Sequence, residues 1–481
     1  MNKYIEKYKS MSVQARAALW FVACSFLQKG ISFITVPIFT RLLSTDQYGT
    51  YSLYLSWLQI LTIFTSLYLY NGVLDNAMAK FKDDRDRYIS SMQGLTLVIW
   101  AIVCAALAVL YPVLKPILGL SPVFMLLMCA EMMFTPATYY WMGRQRFEYR
   151  YQRLVAFTIL KSVLNPVLGI IFVLLTTEKD FARVLSVVLV EVAFGGVVMA
   201  YQYFKGRTFY YADYWKYGIR LAIPMLPHYL AGMILNQGDR VMIDRMVGRS
   251  EVALYGVAYS VGMLAQIFVS AVNSAITPWL YAKVGSHKTD EIKKTSTFLV
   301  IAIAAVAMLL MLVSPEAIYL FGSSKYADAV YVIPPVAASV YFIFLYSLLS
   351  FPQFYFERTA FLMQASLIAA AANIALNYVF IGMFGYVAAG YTTLFCYIVY
   401  AIGHYVVSRR VLRLENEGTT SIVNTRAVVL VSVILILFTI VVNFVLGYRF
   451  VRYGMLLLLM IVGIVNRKKI LYYIAAIRNR K

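Results

Sequence analysis

Lys29 lies within CSFLQKGISF, residues 24–33, in the middle of an otherwise apolar run. A lysine at the centre of a bilayer costs about 2.5–3.5 kcal/mol on insertion scales, so it persists only with a partner, a ligand or a water-filled cavity. Ser25, Gln28, Ser32 and Thr35 flank it at three- and four-residue steps, laying a polar stripe on one helix face. A second stripe runs Arg220, Pro224, His228, Gly232, Asn236 and Arg240 at steps of four. Lys161 and Asn165 stand one turn apart in another apolar stretch. Acidic groups are scarcer there: Glu131, Glu191, and Asp239 beside Arg240. The inventory leans positive, and it points to a wet central cavity with a cationic lining. Lys29, Lys161, Arg220, His228, Asn236 and Arg240 are the candidate binding residues. Glu131, Glu191 and Asp239 are candidates for ion coupling or charge balance. Plainer roles stay open: Arg220 is near enough to a helix end to snorkel, Asp239 and Arg240 can form a turn pair, and His228 can be a packing residue. Lys161 can also be neutralised by Glu131 or Glu191.

Other chemistry has no foothold. No G-x-x-x-x-G-K-[ST] loop occurs, so the chain has no ATPase of its own. H-E-x-x-H, G-x-S-x-G and Cys-x-x-Cys are missing too, and the three histidines are far apart in sequence, which argues against an enzyme, a metal or a cofactor. FKDDRDRY, residues 81–88, mimics the D-x-D of glycosyltransferases, but Lys82, Arg85 and Arg87 neutralise it, so it reads as a solvated charged loop. The four cysteines, Cys24, Cys104, Cys129 and Cys396, fall in apolar segments without pair spacing and read as packing residues.

The elements that must position these residues are membrane spans. The chain is 62% hydrophobic and 14% charged, with a mean hydropathy of +0.73, whereas soluble domains carry about 25% charged residues. Hydropathy predicts an all-α polytopic membrane protein with fourteen spans, near residues 18–40, 50–74, 88–111, 117–140, 153–176, 182–204, 218–243, 252–280, 296–320, 328–353, 361–383, 387–408, 427–447 and 451–466. The first run is too long for a signal-peptide core. With a cytoplasmic N-terminus, the cytoplasmic segments hold 31 lysines and arginines and the external loops 10, with Lys29 and Lys161 inside spans. That bias alternates loop by loop, as the positive-inside rule requires. The net charge of +21 therefore reflects orientation on anionic lipid and calls for no nucleic acid.

Two stretches echo each other: RLLSTDQYGTYSLYLSW from Arg41 and RMVGRSEVALYGVAYSVGM from Arg245. Each leaves a span through an arginine and re-enters on a Tyr-Gly pair, Tyr48-Gly49 and Tyr255-Gly256. They mark the first external turn of two six-helix blocks of like orientation, a parallel repeat of the kind transporters use. The expected organisation is an N-lobe at 1–204, a cytoplasmic linker at 205–217, a C-lobe at 218–408, and two further helices with a basic cytoplasmic tail at 409–481.

ILNQGDRVMIDRMVGRSEVALYGVAYS, residues 234–260, resembles the junction of the seventh and eighth helices of bacterial polysaccharide transporters, the lipid-linked oligosaccharide flippases. The residues that carry the likeness are Asp239, Arg240, Ile243, Gly248, Tyr255 and Ala258-Tyr259, with Arg41 and Tyr48-Gly49 at the first turn. The resemblance implies the multidrug/oligosaccharidyl-lipid/polysaccharide exporter superfamily, with two six-helix lobes, a central cavity and alternating access. It implies a cargo of undecaprenyl-pyrophosphate oligosaccharide, moved to the outer leaflet of the bacterial cytoplasmic membrane for capsule, O-antigen or exopolysaccharide assembly. Its implied partners are membrane lipids and a polysaccharide polymerase. The alternatives are a cation-coupled multidrug antiporter of the same superfamily, which calls for acidic cavity walls, and a membrane polymerase or ligase, which calls for a large external loop. A major facilitator is a further rival, but GVLDNAMAKFK fits its loop motif poorly.

Overall fold

The computed structural model describes residues 11–284, 289–356, 358, 360–415 and 421–468, all in helices and short connections. The basic tail from residue 469 and the Ser32 side chain of the first stripe lie outside the described residues. Two compact units divide after Arg245.

The first unit opens with α1 (Val13–Leu42), α2 (Thr45–Ser66), α3 (Val73–Lys80), α4 (Arg85–Leu118) and α5 (Pro122–Phe147). It continues with α6 (Tyr151–Leu175), α7 (Lys179–Gly206), α8 (Ala212–Ala222) and α9 (Leu226–Met246, whose last residue falls beyond the division). The second holds α10 (Arg249–Gly262), α11 (Ala265–Val284), α12 (Thr289–Leu312), α13 (Ser314–Gly322), α14 (Ile333–Tyr355), α15 (Ala360–Phe384), α16 (Val387–Leu414), α17 (Thr425–Val445) and α18 (Arg449–Val465).

Local chemistry sets the boundaries. Ser44 and Gln47 form a capping box at the start of α2: the Ser44 hydroxyl accepts from the Gln47 amide at 3.2 Å, and the Gln47 side chain accepts from the Ser44 amide at 3.0 Å. Pro122 occupies the first turn of α5, where its missing N–H costs nothing. The predicted span at 218–243 is broken: Pro224 lies in a 3-10 turn, Ile223–Met225, and Pro227 follows at the start of α9. Pro166, by contrast, lies inside α6, which runs through it without a break. The span at 50–74 is divided by a left-handed turn at Leu67 and Tyr68. The span at 252–280 bends by 41° after Gly262, where α10 meets α14 so closely that a Cβ would stand 2.6 Å from Val336.

Each predicted span coincides with helix, but the count of fourteen is finer than the structure supports. Among the described residues, eleven helices are long and apolar enough to cross a membrane, or twelve if the bent pair is one span. The segment at 50–74, the bent pair at 252–280 and the 17-residue α18 account for the difference.

Within the first unit the helix ends sort into two sets. Arg144 at the end of α5 pairs with Asp86 at the start of α4, and Ser90 of α4 accepts from the Thr208 amide just past α7 at 3.0 Å. At the opposite set of ends, Lys179 donates to the Leu42 carbonyl at 3.1 Å and Arg245 to the Ile117 carbonyl at 3.1 Å. The helices therefore alternate in direction, as the loop charges predicted. The second unit is built around the largely buried α14, packed against α16 and α12.

The division differs from the expected lobe boundary. The sequence puts the seventh span at the head of the C-lobe, whereas α9 belongs to the first unit. The Gln237 amide donates to Gln59 of α2 at 3.1 Å and its carbonyl accepts from Ser56 at 3.2 Å.

Candidate functional site

The buried polar centre of the first unit is built by α2, α5, α6 and α7. Lys161 on α6 and Glu191 on α7 form an ion pair at 2.5 Å, their side chains 25% and 10% exposed. Thr138 of α5 donates to the other Glu191 oxygen at 3.0 Å. Glu131, 5% exposed on α5, accepts from the Tyr54 hydroxyl of α2 at 2.8 Å. A buried carboxylate is tolerable only when its lone pairs are satisfied or its charge is answered, and here each carboxylate has a donor from a different helix.

Arg183, 5% exposed in the second turn of α7, extends the array. Its guanidinium donates to Asn165 at 3.0 Å, to Tyr51 at 3.0 Å and to Ser186 at 3.2 Å. Its plane also lies over the Phe39 ring, 4.1 Å from the centroid, and beside Tyr51 at 4.7 Å. Gly169, one turn past Asn165, makes room: a Cβ there would stand 2.8 Å from both Arg183 and Phe39. Two acidic and two basic side chains thus meet in this centre.

The sequence-selected residues do not all converge. Lys161, Asn165, Glu131 and Glu191 come together, and the Lys161 charge is answered by Glu191. Lys29 is exposed, midway along α1. Arg220 is exposed on α8, which the Pro224 turn separates from the rest of its stripe. His228 is half-buried, its ring centre 5.9 Å from that of Tyr229. Along α9 the stripe bonds to itself: the Asn236 amide donates to the Gly232 carbonyl at 2.7 Å, and Arg240 donates to the Asn236 carbonyl at 2.9 Å and to Gln237 at 3.3 Å. Asp239 is wholly buried.

Arg183 and Tyr54 escaped the sequence reading. In the sequence Arg183 looks like a loop charge because it lies near the start of a predicted span. The signal that could have found it is its phase, for Arg183, Ser186 and Glu191 fall within about two turns of one another on α7.

Residues 15–284 match the family described as polysaccharide biosynthesis protein. Two relatives are from Haemophilus influenzae. One, called an uncharacterized membrane protein, is 24% identical over 62% of this chain and 73% of its own. The other, called Lsg locus putative protein 1, is 20% identical over 72% of this chain and 86% of its own. Among solved structures, the lipid II flippase MurJ in an inward closed conformation aligns with a TM-score of 0.69 at 11% identity, covering 94% of this chain and all of that one. An inward-facing multidrug resistance MATE family transporter of the MOP superfamily aligns with a TM-score of 0.62 at 16% identity, over 85% of this chain and 96% of that one. The helical fold is thus the one these transporters share, and the sequence match over more than half its length says that the chain belongs to the polysaccharide biosynthesis protein family.

Proposed function

We propose that this membrane protein is a flippase for undecaprenyl-pyrophosphate-linked oligosaccharide. It carries the lipid from the inner to the outer leaflet of the bacterial cytoplasmic membrane by alternating access, with both termini cytoplasmic, for assembly of a surface polysaccharide. The observation that carries this reading is Lys29, exposed midway along an apolar helix. A cation at that depth is stable against water or an anion, not against acyl chains. A sugar-linked pyrophosphate brings about two negative charges, which a lysine ammonium can hold as a charge-assisted partner. Moving them outward across 100 mV, negative inside, is favourable by about 4.6 kcal/mol, so the membrane potential can drive export without ATP. His228, Asn236, Arg240 and Arg220 supply further donors along the cargo's path, while Lys161 serves through its pairing with Glu191.

Export of surface polysaccharide in cells carrying substituted protein tests this. Lys29→Ala abolishes export while the protein still inserts, and Lys29→Arg retains more activity than Lys29→Gln. Normal export by Lys29→Ala overturns the assignment, and equal loss in Arg and Gln variants points to shape rather than charge.

A second reading, a cation-coupled antiporter, is favoured by the buried Glu131 carboxylate, since coupled transport needs an acid that can take and release a cation inside the protein. Glu131→Gln separates the two: it removes cation-dependent drug resistance in an antiporter and leaves potential-driven polysaccharide export in place.

A further inference from the structure

The inner array leaves unused a cavity of about 320 Å³ at the end of the first unit where α1 begins. It lies among the start of α4, the end of α5, the start of α6 and the end of α7. Its polar wall holds Asp86, Arg144, Arg150 and Arg153, and its apolar wall includes Phe157 and Val197. A second cavity of about 390 Å³ shares Arg150 and Arg153 and adds Arg16.

Three observations bear on what fills it. Arg144 is bound to Asp86 and Glu148, and Arg150 to Glu148 at 3.0 Å, so the acidic groups on that wall are already answered. Arg153 is exposed on the wall common to both cavities and has no acidic or hydrogen-bonding partner among the described residues. Gln145 and Gln202, 4% and 5% exposed, line the first cavity, and the amide oxygen of each lacks a hydrogen-bond donor among the described residues. A buried acceptor left without a donor is costly, which marks a place for a hydroxyl-bearing guest. The rim continues onto the outer surface, where Val197 is 73% exposed and Tyr201 45%. A guest here needs an anion for Arg153, hydroxyls for the glutamines and a hydrocarbon chain for Val197 and Phe157.

We infer that this cavity binds an anionic phospholipid with a hydroxyl-bearing headgroup, the phosphatidylglycerol class, its phosphate on Arg153 and Arg150 and its acyl chain along Phe157 and Val197. Basic pockets between spanning helices near the membrane surface take anionic headgroups in this way. A free phosphate would satisfy the arginines but leave the apolar wall and the glutamine oxygens unanswered. The site is separate from the cargo reading, and its test has no transport readout, so either can fail alone.

The full-length chain is purified into micelles holding equal amounts of phosphatidylglycerol and phosphatidylcholine, and retained lipid is counted by native mass spectrometry. Wild type retains phosphatidylglycerol in preference. Arg153→Gln lowers that preference about fivefold and Arg150→Gln/Arg153→Gln together about thirtyfold. Arg153→Lys keeps most of it, and Lys216→Gln, an exposed basic position outside the cavity walls, leaves it unchanged. Variants are compared only at unchanged melting temperature, which suits the exposed Arg153, and Val197→Asp provides an independent arm by spoiling the chain's path. Equal retention of the two lipids, equal loss in Lys216→Gln and Arg153→Gln, or displacement of the lipid by millimolar inorganic phosphate overturns the inference.

Discussion

The first unit buries Glu131, Glu191, Arg183, Asp239 and Arg240, whereas the second, among its described residues, buries one charged side chain, Arg452. Its interior polar contacts include amides, hydroxyls and an imidazole. Gln353 bonds His404 at 3.0 Å, Asn377 donates to Asn373 at 3.1 Å, and Thr392 bonds Asn377. Neutral groups of this kind join helices at modest cost. A charge array is costlier, because losing one member strands another away from water. The difference teaches that the two units, though each holds a buried Tyr-Gly pair, are not chemically equivalent. Neutral packing contacts fill the second, and ionisable groups sit in the first.

Breaking the array is expected to give the largest effect. Glu191→Leu leaves Lys161 without its carboxylate and destabilises the protein by about 3 kcal/mol, while Lys161→Leu/Glu191→Leu recovers most of that loss. Melting temperatures of the two purified variants in one detergent measure it. A double variant no better than the single would mean that the pair is not the unit of stability.

Arg183→Lys comes next, at about 2 kcal/mol, because an ammonium cannot reach Asn165 and Tyr51 together while lying flat on Phe39. A melt indistinguishable from wild type would show that charge alone suffices at that position. Within the second unit, Gln353→Leu removes a neutral partner of His404 and costs about 1 kcal/mol. A loss as large as that of Glu191→Leu would erase the contrast between the units.

The smallest effect concerns the pair that ties α18 to α13. Arg452 donates to both oxygens of Glu316 at 2.8 Å, and Tyr453 adds a bond at 2.9 Å. The Arg452 hydrogen bonds hold the Glu316 carboxyl below its ordinary value of 4.5 despite partial burial. A depressed carboxyl contributes stability above its unfolded value and loses it as pH falls through the folded one. Melting temperature therefore drops below about pH 4.5, and Glu316→Gln removes that part of the slope. The carboxylate is 42% exposed, so solvent keeps the change small.

Much of the architecture could be read from residue order. The spans, their alternation and the Tyr-Gly echo depend on local hydropathy and loop charge, which act on each helix as it meets the bilayer. In the sequence Lys161 has two candidate acids, Glu131 and Glu191. Their spacing in sequence says nothing of which of two acids meets the lysine, and only the packing of α6 on α7 selects Glu191 over Glu131. Arg183 was hidden for the converse reason: its place near a helix end looks like a loop charge until Phe39, Tyr51 and Asn165, from three other helices, close around it.

Sequence by itself determined that this chain is a bundle of apolar helices of alternating direction with basic groups inside the spans, because transfer into hydrocarbon and charge retention at a membrane face depend on short windows of residues. Tertiary structure alone decided that Lys161, Glu191, Glu131 and Arg183 come together with their hydroxyl donors, that α9 joins the first unit, and that Arg153 stands on a cavity wall. Those outcomes rest on distances between helices far apart in the chain, and no periodicity encodes which faces will meet.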